Sequence, residues 1–137
     1  MNQTSDQEIL RLEIIKILKS FPEIKVATLY GSAAQNRQRE SSDLDISVAG
    51  RTELNFDIKN KISVKLSLTV SKEIDLIDLN RVSGAILRQA LCTGIFLLKD
   101  SPEILARLMK KMWYHQADMM PLIGRIQKAH IGRFANG

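Results

Sequence analysis

Apolar residues recur at helical spacing near the start of the chain, at Leu10, Ile14, Ile17 and Leu18. Ser5 and Glu8, three residues apart, have the form of a capping box, so the first helix is expected to begin at Ser5. Phe21-Pro22 ends it. Lys25 to Tyr30 (KVATLY) then reads as a short strand, and Gly31-Ser32 turns the chain. Leu44, Ile46 and Val48 alternate with polar residues, which predicts a second strand over 44–48. The stretch 55–70 satisfies two periods at once. Ile62, Val64, Leu66, Leu68 and Val70 alternate as in a strand, whereas Leu54, Ile58, Ile62, Leu66 and Val70 recur every fourth residue as in a helix. Its length favours the helix.

Glu73 to Leu79 (EIDLIDL) is the third predicted strand, followed by a helix over about 82–93 that Gly94 is expected to cap. Ile95 to Lys99 forms a fourth strand. Ser101 as N-cap and Pro102 in the first turn open the last helix, whose apolar face runs through Leu105, Leu108, Met112, Met119, Ile123 and Ile126. Pro121 is expected to kink or restart it. Alternating helices and strands define an α/β (α+β) chain: a small mixed β-sheet flanked by helices. Residues 1–137 are read as one domain, with 101–137 as a C-terminal helical segment.

Composition narrows the class without naming a chemistry. A chain of 137 residues with 45% hydrophobic content suits one globular domain. The lone Cys excludes an internal disulfide framework and a Cys-based zinc site. It suits a reducing compartment, and MNQTSDQEIL lacks the features of a secretory signal, so a cytoplasmic protein is expected. No apolar run is long enough to span a membrane. The net charge of +5 is uneven: residues 1–50 carry 6 basic and 7 acidic groups, residues 101–137 carry 6 and 2. The basic end fits a partner or nucleotide surface better than a nucleic-acid footprint.

The chemistry lies in Gly31 to Val48, GSAAQNRQRESSDLDISV. Side chains two apart on a strand share a face, so Asp43 and Asp45 project together. Two carboxylates held side by side repel one another and call for a cation, and hard oxygen donors favour Mg²⁺ or Mn²⁺. Such a pair can bridge two ions that grip a triphosphate and an attacking hydroxyl. Gly31, without a Cβ, lets the backbone approach phosphate oxygens, and Ser32 adds a hydroxyl and an N–H. Asp75, polar between Ile74 and Leu76, supplies a third carboxylate from a neighbouring strand.

At these residues the chain resembles the DNA polymerase beta superfamily of nucleotidyltransferases, whose signature is Gly-Ser, a spacer, Asp-x-Asp and a later Asp. Its length and element order are most similar to the minimal nucleotidyltransferases, encoded as antitoxins beside HEPN-domain toxins in the MntA–HepT type of module. EIDLIDL, ILRQALCTGIFLLKD and Tyr114, Asp118 and Pro121 extend the likeness over nearly the whole chain. The resemblance implies magnesium-dependent transfer of AMP from ATP to a tyrosine of the toxin, an RNase, which is thereby neutralised. It implies that Asp43, Asp45 and Asp75 bind two metal ions. Asp75 either completes the metal site or acts as general base. Gly31 and Ser32 would hold the β- and γ-phosphates. Family members commonly carry Arg-Gly where this chain has Gln35-Asn36, so Arg37 and Arg39 are the candidates for the missing positive charge.

Two rival functions fit parts of the pattern: an antitoxin acting by binding alone, and a small-molecule transferase of the aminoglycoside-modifying sort. The second usually needs an additional helical domain. Elsewhere, Cys92 is expected in the core, Trp113-Tyr114 as packing residues and Asp78 as the cap of the next helix. His115 and His130 are isolated surface or interface residues. The methionines at 109, 112, 119 and 120 either cover the sheet or adapt to a partner.

Overall fold

A computed structural model describes residues 3–31 and 43–126, with side chains for 6–31 and 43–114. Helix α1 (Gln3–Lys19) buries Ile14, Ile17 and Leu18 along one stripe. It starts two residues before Ser5, which therefore lies inside the first turn and is not the cap. Strands β1 (Val26–Tyr30) and β2 (Leu44–Ala49) follow, then α2 (Phe56–Val70). The four-residue period prevails in that last segment. Ile62 and Leu66 are buried with Ile58 and Val70 packed beside them, whereas Val64 and Leu68 face solvent. The Asn55 side chain accepts a hydrogen bond from the Ile58 N–H at 2.8 Å, and Ser71 closes the helix at φ 56°.

Strand β3 (Ile74–Asp78), helix α3 (Gly84–Cys92), strand β4 (Ile95–Lys99) and helix α4 (Pro102–Ile126) complete the described residues. The four strands are ordered β3-β2-β1-β4, with β2 and β3 parallel and the other pairs antiparallel. The expected small mixed sheet flanked by helices is therefore present. Leu44, Ile46, Val48 and Leu76 face α1 and α2, whereas Val26, Tyr30 and Ala49 face α3 and α4 beside Leu87, Leu91, Ile104, Leu108 and Met112. Each fully buried large aliphatic side chain contributes roughly 1.5–3 kcal/mol. A bulge pairs Ala27 with Leu98 and Thr28 with Phe96, so the consecutive Leu97 and Leu98 are both buried. Thr28 and Ser47 are register partners on the α3/α4 face, and their buried hydroxyls lie 2.6 Å apart in a hydrogen bond. Among the described residues no helix is long and apolar enough to cross a membrane.

Several expectations change. Gly94 does not cap α3 in a left-handed conformation; Thr93 is the C-cap. Glycine is required there because a Cβ would collide with the Ala90 carbonyl oxygen and press on that of Leu29. Cys92 is exposed on α3, 3.8 Å from the Met112 sulfur, and Trp113 and Tyr114 are exposed on α4. Helical backbone runs without a break through Pro121 to Ile126, so the proline does not restart the helix. The expected Ser101 cap is present, its hydroxyl 3.2 Å from the Ile104 N–H.

Asp78 is the largest departure. It caps no helix; Ser83 holds that position for α3. Instead its buried carboxylate accepts from the Leu54 N–H at 2.7 Å and the Asn80 N–H at 2.9 Å. The Arg81 guanidinium lies 3.6 Å away. Asn80 reaches the Gly50 and Thr52 carbonyls, and Arg107 of α4 reaches those of Gly50 and Arg51. The loop leading into α2 is thus tied to β3 and α4. Asp78→Ala leaves the buried Leu54 N–H without its acceptor, and we expect a loss of about 3 kcal/mol in urea unfolding.

Candidate active site at the β1–β2–β3 sheet end

Strand parity places the acidic residues. Leu44, Ile46 and Val48 face one core, so Asp45 faces the opposite side, towards α3 and α4. In β3, Leu76 faces the first core and Asp75 the second. The parallel register pairs Asp45 directly with Asp75, and the antiparallel register pairs Asp45 with Tyr30. Gly31 follows Tyr30 at φ +75°, in the left-handed region that disfavours side chains. A Cβ at Gly31 would fall on the Asp45 carboxylate. The end of β1 and the beginnings of β2 and β3 therefore converge on one pair of carboxyl groups.

The electrostatics follow from that convergence. Asp45 is half-buried, and its carboxyl is held above the usual carboxylate range. Burial is the largest cause, followed by the charge of Asp75, a hydrogen bond shared with Asp75, and the charge of Asp43. The Tyr30 phenol is pushed up to about 12, by burial first and then by Asp75 and Asp45. It is neutral at physiological pH and keeps its proton.

Asp43 is exposed just before β2, Asp75 is exposed within β3, and Gly31 borders Asp45. Ser32, Arg37 and Arg39 lie outside the described residues. Among the described residues no group of three or more His, Cys, Asp or Glu side chains is arranged to hold a metal ion. The expected three-carboxylate centre is thus represented by the Asp45–Asp75 pair, with Asp43 acting on it through charge. The pair itself fits a hard divalent cation: all its donors are oxygens, and its mutual repulsion is what a cation relieves. Tyr30 was missed by motif reading, although its parity with Val26 and Thr28 and its place before Gly31 could have revealed it.

Comparison with known proteins gives the family. The family model described as polymerase beta, nucleotidyltransferase matches residues 12–103, and the chain belongs to that family. It is a nucleotidyltransferase. The chain is similar to the protein adenylyltransferase MntA of Shewanella oneidensis, at 27% identity over 135 residues, covering 92% of this chain and 97% of that protein. A chain in the crystal structure of the toxin-antitoxin with AMP-PNP shares its fold, with a TM-score of 0.68 at 24% identity over 85% of this chain and 97% of the other. So does one in the structure of the tri-AMPylated Shewanella oneidensis HEPN toxin with MNT antitoxin, at TM-score 0.65, 22% identity and coverages of 88% and 98%.

The raised Asp45 carboxyl has a consequence for stability. Well below the ordinary carboxylate range Asp45 is protonated in both folded and unfolded chains, and the repulsion is absent. As pH rises through the raised folded value, the native state alone must release a proton against Asp75, and that stability is lost. We expect Asp45→Asn to raise the melting temperature by a few degrees at pH 7. The gain should vanish in acid, as read by thermal unfolding across pH.

Proposed function

We propose that this chain transfers AMP from ATP to a tyrosine of a cognate HEPN RNase toxin in a magnesium-dependent reaction and thereby neutralises it. The observation that carries this reading is the Asp45–Asp75 pair beside the left-handed Gly31. It is supported by the similarity to a protein adenylyltransferase and by the fold shared with AMP-PNP-bound and AMPylated toxin–antitoxin complexes. Asp45 and Asp75, with Asp43, would hold Mg²⁺. Bound there, the metal supplies charge neutralisation for the triphosphate and a lowered pKa for the acceptor hydroxyl.

The chain's own residues do the rest. Gly31, without a Cβ, lets the Asp45 carboxylate lie against its backbone, and Gly31 and Ser32 are assigned to the β- and γ-phosphates. Arg37 and Arg39 are assigned the positive charge that Gln35-Asn36 does not provide. Asp75, the exposed member of the pair, takes the acceptor's proton. The acceptor oxygen then bonds to the α-phosphorus as its bond to the bridging oxygen breaks, and pyrophosphate leaves. Neutral Tyr30 keeps a non-ionic wall beside both carboxylates. We place the reaction in the cytoplasm, where exposed Cys92 stays reduced.

The test is the Asp43→Ala/Asp45→Ala variant incubated with labelled ATP and the toxin. Transfer of label should fall at least about 100-fold, and chelation of divalent cations should do the same to the wild type. Cells expressing the toxin should lose protection. Full protection by the variant at normal expression would mean that binding alone neutralises the toxin.

A further inference from the structure

Among the described residues strand β3 ends the sheet, with no neighbouring strand on one of its sides. Two hydrogen bonds fix which backbone groups face that side. The Leu44 N–H donates to the Glu73 carbonyl and the Leu79 N–H to the Val48 carbonyl. In a parallel pair the N–H and C=O of one residue point the same way, and successive residues alternate. Residues 73, 75, 77 and 79 therefore address β2, and the backbone groups of Ile74 and Leu76 point to the free edge.

A groove of about 250 Å³ runs along that edge. Its walls are Ile74, Asp75 and Leu76 on one side and Phe56, Lys59, Asn60 and Ser63 of α2 on the other. Phe56 leaves 79% of its surface in solvent at the first position of its helix. Asp75 lines the groove while its side chain lies on the α3/α4 face with Asp45, so a segment paired along this edge passes beside both the groove and the carboxylate pair.

We propose that the groove seats an extended segment of the acceptor protein, added to β3 as a further strand. This rests on the protein-adenylylation reading above and specifies how its substrate is held. Main-chain bonds to Ile74 and Leu76 would supply affinity and alternate side chains would supply specificity. Side chains of an added strand also alternate between faces. Those on the α3/α4 face stand beside Asp75, since directly opposed Cβ atoms on neighbouring strands are roughly 4.5–5.5 Å apart. Those on the other face drop into the groove against Phe56 and Lys59. One residue register thus delivers a hydroxyl to the carboxylate and an anchor to the aromatic ring. A small-molecule acceptor would use neither the strand edge nor Phe56.

The experiment uses the full chain and the HEPN toxin that the proposed function assigns as its acceptor. Phe56→Ala, and Phe56→Ala/Lys59→Glu, should raise KM for the protein acceptor about tenfold or more, with kcat and ATP affinity unchanged. Hydrogen exchange at the Ile74 and Leu76 amides should slow when the acceptor and AMP-PNP are both bound. Both results together support the added strand. An unchanged KM, or amides that exchange as fast as in the free chain, overturns it while leaving adenylylation intact. Absence of any AMP transfer by the wild-type chain overturns the adenylylation reading, and this proposal with it.

Discussion

The candidate site depends on two like charges held in register. Asp45 and Asp75 are opposed across a parallel strand pair, an arrangement that isolated strands would avoid. The surrounding packing enforces it. Leu44, Ile46, Val48 and Leu76 lock the strands from the α1/α2 side, so neither carboxylate can turn away without exposing a buried neighbour. Repulsion is stored where a cation can relieve it.

Around that pair the molecule separates precision from tolerance. The far end of the sheet is tied down by Asp78, Asn80, Arg81 and Arg107, which secure the loop that opens into α2. The reacting end has different requirements: a residue without a side chain at Gly31, a phenol that keeps its proton, and carboxylates open to water. Rigidity at one end allows strain at the other. The polymerase beta family's chemistry is thereby supported on four short strands.

Local pattern made much of this legible. The alternation at Leu44, Ile46 and Val48 fixed the face of Asp45, and Ser101-Pro102 fixed the start of α4. Long-range facts were hidden. No local signal says that Asp45 stands opposite Asp75, because parallel register is set by elements far apart in sequence. The 55–70 stretch obeyed two periods, and only packing against α1 and the sheet decided between them. Cys92 and Trp113 looked like core residues because their helices are apolar, yet they sit on the sides turned outward. Asp78 resembled a cap because its carboxylate does bind backbone N–H groups, one of them 24 residues upstream.

The Thr28–Ser47 hydroxyl pair has a bearing on how the site comes into being. In the native pairing each hydroxyl satisfies the other within the core. A slip of one residue between β1 and β2 would leave both without a partner in an apolar layer, and such a misaligned species is short-lived because unmatched buried hydroxyls are costly. The same alignment sets Tyr30 and Gly31 beside Asp45. The one alignment that satisfies both buried hydroxyls is therefore also the one that assembles the carboxylate site.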